Sequence, residues 1–199
     1  IFDNIKIKTL ITSNGWAGIF SSYQTTGVFN WTKEINKLNA HFSHLHIDKK
    51  TSESTESDEL FDFDESYNWP SLSIFVDDFK SFKFQGKLAV EANYLKNQRL
   101  WDLEKIEIFS KSTRLEASGF WRKFKKNITT KIPYPNGASS NKTITELDFR
   151  LDTKNGSNLL DKFGYPDLLA GSGGIVSGEL KWLGSPLDFK IKNTSGDLS

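Results

Sequence analysis

The chain has 199 residues, rich in Phe (16) and Trp (6) and without Met or Cys, so it is long enough for one domain or two small ones and carries no thiol chemistry. A formal net charge of +1 gives no global field to attract nucleic acid or anionic lipid. No apolar run approaches the roughly 20 residues that span a bilayer and no signal peptide opens the chain. A start at Ile1 without Met reads as a fragment, so the missing anchor says nothing about the parent protein.

The opening NIKIKTLIT predicts a strand with Ile5, Ile7 and Ile11 on one face and Lys6 and Lys8 on the other, ended by a Ser13-Asn14-Gly15 turn. Trp16 to Tyr23 reads as a weaker second strand, and TTGVFNW as a third in which Gly27, Phe29 and Trp31 are in phase. In NKLNAHFSHLHI (36–47) the apolar phase slips near Ser43, since Ala40 and Phe42 are in one phase and Leu45 and Ile47 in the other; a bulge accounts for it. His41, His44 and His46 raise a metal hypothesis, but no carboxylate or fourth ligand stands at a characteristic spacing, and a polar-faced strand is the reading adopted.

Residues 48–68, DKKTSESTESDELFDFDESYN, break the alternation and read as an acidic, disordered insert. Asp62 to Glu65 lacks the Gly of a calcium loop. Deleting Glu53 to Glu65 is therefore expected to leave folding nearly unchanged. After Trp69-Pro70 the alternation returns: Leu72, Ile74 and Val76, then a short Phe82/Phe84 piece, then Leu88, Val90, Ala92 and Tyr94. LWDLEKIEIF and TRLEASGFW follow as a hairpin around Ser110 to Thr113, KIPYPNGASSN as a loop, and Leu147, Phe149 and Leu151 as another strand. A helix-like interlude at about 158–170 carries Leu159, Leu160 and Phe163 on one side. Val176, Gly178, Leu180 and Trp182 then alternate with Ser177, Glu179 and Lys181, and Gly184-Ser185-Pro186 turns toward an expected antiparallel partner of Leu187, Phe189 and Ile191.

A glycine followed two or four residues on by Trp closes three of these strands (Gly27/Trp31, Gly119/Trp121, Gly178/Trp182), which suggests a few-stranded unit used about three times. No phosphate loop, HExxH pair or nucleophile elbow occurs, and Gly171 to Gly174 precedes a strand rather than a helix. The sequons at Asn30, Asn127, Asn141, Asn155 and Asn193 are triplets of a kind that arises by chance in an Asn-, Lys- and Ser-rich chain. The chain reads as non-enzymatic, with no cofactor and no metal.

The run "LL..FGYPDLL" through "GSGG...GELKWLGSPLDF" to "SGDL" resembles the C-terminal part of the YhdP family, AsmA-like proteins of Gram-negative envelopes related to TamB. "WPSLSIFVDDFKSFKFQGKLAVEANYL" and "RLWDLEKIEIFSKSTRLEASGFW" share that family's rhythm, so Trp69 to Ser199 resembles it well and the first third weakly. The resemblance implies a mainly β fold over 1–199, an extended, curled antiparallel sheet forming a groove, in a periplasmic protein anchored in the inner membrane by a segment absent here. It also implies phospholipid as the partner, with acyl chains moving between inner and outer membrane.

The apolar phases assign the groove face to Ile5, Ile7, Phe29, Trp31, Leu88, Val90, Leu115, Trp121, Leu147, Phe149, Leu151, Val176, Leu180, Trp182, Leu187 and Phe189, with Leu159, Leu160 and Phe163 as a possible cap. Two alternatives stay open. A carbohydrate- or protein-binding β-sandwich would present Trp as exposed platforms, and a purely structural β-scaffold would fill the groove with its own side chains.

Overall fold

The computed structural model describes residues 4–47, 68–81, 84–123, 143–155, 173–186 and 194–198. The strands are β1 (Lys6–Thr12), β2 (Gly15–Ser21), β3 (Thr25–Thr32), β4 (Lys37–Ile47), β5 (Ser71–Ser81), β6 (Gln85–Leu95), β7 (Leu100–Phe109), β8 (Thr113–Lys123), β9 (Thr143–Thr153), β10 (Gly174–Leu183) and β11 (Thr194–Leu198). All of them join in one 11-stranded sheet whose spatial order equals the chain order, open at β1 and at β11 and not closed into a barrel. The fold is mainly β, and no described residue is helical. The helical interlude lies outside the described residues, as do Leu187 and Phe189.

The pairing departs from the expected all-antiparallel sheet at one joint. β4 and β5 run parallel, from Lys37↔Ser71 to Ile47↔Ser81. The period of two is the same for either direction, so alternation alone gave no sign of it. The chain therefore leaves β4 at one long edge of the sheet and enters β5 at the other. Asn36 secures the joint. It sits at φ 44°, a left-handed position that Asn tolerates, and its carbonyl accepts from Ser71 N at 2.9 Å. Its Nδ2 donates to the carbonyls of Asn68 at 3.4 Å and Trp69 at 3.3 Å, while its Oδ1 accepts the Trp31 ring N–H at 3.1 Å.

The expected phase slip in β4 is present. Gly27 pairs with Phe42 but Thr26 with His44, so Ser43 is the extra residue, and its Oγ donates to the Thr26 carbonyl at 3.1 Å. A second irregularity lies alongside in β5, where Val76 faces Leu88 and Phe79 faces Gly86. That insertion re-aims Phe79 inward, and β5 runs to Ser81; Phe82 of the expected Phe82/Phe84 piece lies outside the described residues, and Phe84 stands just ahead of β6. Beyond its pairing with β9, β10 pairs with β11, with Trp182↔Thr194 and Gly178↔Leu198; the expected partner stretch of Leu187, Phe189 and Ile191 lies outside the described residues.

Two glycines permit close strand approach. A Cβ on Gly27 would run into the Phe42 ring, which covers that glycine, and one on Gly119, held at φ 154°, would overlap the Glu146 carbonyl oxygen.

Candidate functional site

Cross-strand partners share a face, so the registers fix which side chains stand together. Starting from Ile7, the pairs Ile7↔Phe20, Phe20↔Gly27 and Gly27↔Phe42 lead across β1 to β4. Phe42↔Val76, Val76↔Leu88, Leu88↔Ile108 and Ile108↔Leu115 carry the face across β5 to β8. Leu115↔Leu151 and Leu151↔Val176 complete it to β10. Parallel rows add Phe29, Trp31, Val90, Trp121, Leu147, Phe149, Leu180 and Trp182 to the same side. Every described strand residue of the sequence-assigned set thus lies on one face; Ile5 precedes β1 and is exposed.

Sequence reasoning left Trp101, Leu103, Ile106 and Ile108 off this face. β7 carries a bulge between Leu103 and Ile106, which shifts its apolar phase by one residue, the same signal that marked Ser43 in β4. With that correction, Trp101 stands opposite Trp121, and Ala92, Trp101, Leu103 and Trp121 form the largest buried cluster, with Trp69, Leu72, Tyr94, Ile106 and Leu147 packed against it.

Burial is uneven along the face. Val76 (0% exposed) and Trp182 (2%) are sealed, Ala92 and Leu103 are buried in the tryptophan cluster, and the other aliphatics between them are half-buried, although every described strand lies in this one sheet. Toward the free β1 edge the surface opens, with Ile7 at 56% and Ile11 at 81% exposure. Trp31 is half-buried and Trp121 and Trp182 are buried, so these three do not stand out as exposed platforms of the kind a carbohydrate module uses.

The opposite face is a charge lattice. Glu107, 8% exposed, accepts from Lys105 at 2.8 Å and Arg114 at 2.7 Å. Hydrogen bonding from Lys105 chiefly holds the Glu107 carboxyl below its ordinary value despite burial, and the Lys105 ammonium is raised in turn by that bond. Further along, Glu146 binds Arg122 at 2.6 Å and Lys181 at 3.5 Å, and Lys181 is raised chiefly by its bond to Glu179 at 2.6 Å.

All three histidines lie on this polar face. Linear spacing gave them no carboxylate, but parallel pairing does, with His41 Nε2 2.7 Å from Asp77 and His46 Nε2 3.1 Å from Asp78. Among the described residues no group of three or more such side chains is arranged to hold a metal ion. Nor is any helix of the described residues long and apolar enough to cross a membrane. What the arrangement offers chemically is a continuous apolar track backed by charge, on which the described residues bring no nucleophile and base together.

The model of the YhdP protein family matches residues 1–199, the whole chain. The chain belongs to the YhdP family. The match extends to the first third, where the sequence resemblance was weak, and so takes in β1 to β4 as well as β5 to β11. It identifies the protein as AsmA-like, of the bacterial envelope, and the YhdP family is not known for enzymatic activity. Comparisons with curated proteins and with solved structures give no match.

Proposed function

We propose that this chain is a segment of a periplasmic conduit, part of a protein anchored in the inner membrane, whose apolar face carries phospholipid acyl chains between inner and outer membrane. The observation that carries the reading is the unbroken apolar face, which runs from β1 to β10 without a charged side chain in the rows traced above and is half-buried over most of its course. Membership of the YhdP family supports the same reading.

The energetics favour such a track. A 16-carbon acyl chain left in water costs on the order of 12 kcal/mol at about 0.8 kcal/mol per methylene. Covering it on a lined face removes most of that cost without any catalytic group. Ten strands at about 4.8 Å spacing extend the face roughly 43 Å across the strands, the length of one segment of a longer path.

Photocrosslinking separates the faces at neighbouring residues. A benzophenone amino acid at Leu115 or Phe149 should capture phospholipid in cells, and one at Glu116 or Arg150, on the opposite face, should not. Lipid mass spectrometry of the purified chain provides the second readout. Equal capture from both faces, or none from Leu115 and Phe149 with no copurified lipid, would refute the reading.

A further inference from the structure

All six tryptophans stand at one long edge of the apolar face. Trp16 and Trp31 pair at the β2 start and β3 end, Trp101 and Trp121 at the β7 start and β8 end, and Trp182 closes β10. Trp69, two residues ahead of β5, packs against the buried cluster that holds Trp101 and Trp121. The opposite edge has Thr25, Phe79, Thr113, Thr153 and Val176 on the same face and no tryptophan.

Two of the indoles are also oriented by hydrogen bonds. Trp31 gives its ring N–H to Asn36 Oδ1 in the β3–β4 turn at 3.1 Å, and Trp182 gives its own to the Ser185 carbonyl just past β10 at 2.9 Å. Their polar tips thus point to the turns and their apolar bodies lie over the face. This is the disposition that indoles adopt where hydrocarbon meets a polar layer.

Charge agrees with that boundary. At this edge the turns and strand ends carry Lys33, Lys37, Lys96, Arg99 and Lys123 against one carboxylate, Glu34, among the described residues. The other edge is basic too, with Lys6, Lys111 and Lys154. Cations along both edges suit a phosphate-bearing amphiphile, and the tryptophans choose between the edges.

Resting on the lipid-carrying reading above, we infer that the amphiphile lies across the sheet with its phosphate headgroup at the tryptophan edge and its acyl tails toward the opposite edge. The apolar face then has a polarity along the strands. It accepts anionic glycerophospholipid in one orientation and slides it from strand to strand with the headgroup on a rail of indoles and cations.

Because every tryptophan is on this edge, intrinsic fluorescence reports it directly. The 199-residue chain is loaded with phosphatidylglycerol bearing a nitroxide either close to the glycerol end or close to the methyl end of an acyl chain, and retained lipid is measured by mass spectrometry. The glycerol-end label should quench about twofold or more strongly than the methyl-end label. Replacing Lys33, Lys37, Lys96, Arg99 and Lys123 by Gln should weaken retention about tenfold or more, whereas replacing Lys6, Lys111 and Lys154 should change it much less. Stronger quenching by the methyl-end label, retained lipid without quenching, or equal losses from the two Gln sets would overturn the orientation and leave the conduit reading standing. No retained lipid at all would overturn both.

Discussion

Removing Glu53 to Glu65 tests the least expected feature of the sheet. Composition alone makes that deletion harmless, because the segment is polar and loop length costs little. The parallel joint reverses the expectation. Ile47 and Ser71 lie at opposite ends of paired 11-residue strands, about 33 Å apart at roughly 3.3 Å per residue. The natural connection has 24 residue steps, with a reach of about 80 Å, more than twice the span. The deletion leaves 11 steps and a reach of about 36–40 Å, with almost no slack for clearing the side chains it must pass.

Closing that gap means drawing some ten residues out nearly straight, at about 1 kcal/mol or more each in backbone entropy. The sum is on the order of the whole stability of a domain, about 5–15 kcal/mol. The full deletion should therefore lose cooperative urea unfolding, or unpair the ends of β4 and β5. Removing only Glu53 to Ser57, or replacing 53–65 by Gly and Ser at equal length, should leave the midpoint within the range of a neutral surface change. Circular dichroism and urea titration of the three variants decide it. If the full deletion unfolds like the parent, β4 and β5 are not joined in parallel and the strand order at the centre of the sheet is wrong.

Two further outcomes follow from contacts already described. Asn36→Ala removes the acceptor for Trp31 and the donor to Asn68 and Trp69, and strains a left-handed residue, so a loss of about 2–4 kcal/mol is expected in urea unfolding, with β4–β5 amides losing hydrogen-exchange protection first; a uniform loss of protection would show that the joint is not its site of action. Glu107 has a depressed folded-state pKa, so its contribution is complete above the unfolded value, near 4.5, and is lost as pH falls through the lower folded one. Glu107→Gln should therefore flatten the acid limb of stability below about pH 4.5 while costing about 1–3 kcal/mol at neutrality; an unchanged acid limb would assign the acid sensitivity to other carboxylates.

The sequence was most readable where a strand keeps one phase. The alternation of Leu147, Phe149 and Leu151 or of Val176, Leu180 and Trp182 leaves only one side for the apolar residues, and the registers place them there. The slip at Ser43 was readable because apolar residues flank it on both sides. The slip in β7 was not, because Glu104 and Lys105 at the bulge look like ordinary polar-phase residues. Strand direction leaves no mark in a period of two, so the parallel joint needed the partner strand to be known. His41 and His46 show the same limit, since their partners Asp77 and Asp78 are 36 and 32 residues away in the chain. What favours one lip of the apolar face over the other, the row of tryptophans, was visible only as a strand-closing signature until the strands were laid side by side.

Because spatial order equals chain order, each strand needs only its predecessor to be in place before it can dock. Contacts between the described strands are concentrated between neighbours, so the sheet can grow by accretion, like a repeat array, with little need to wait for a distant segment. A polypeptide delivered end-first could set strand upon strand while its remainder is still unmade or in transit. Adding or losing a hairpin would alter length by about two strand spacings, roughly 9.6 Å, without disturbing the rest. Among the described strands, the one parallel step is that from β4 to β5, where the chain has to travel back the full length of a strand before the next one can be laid down.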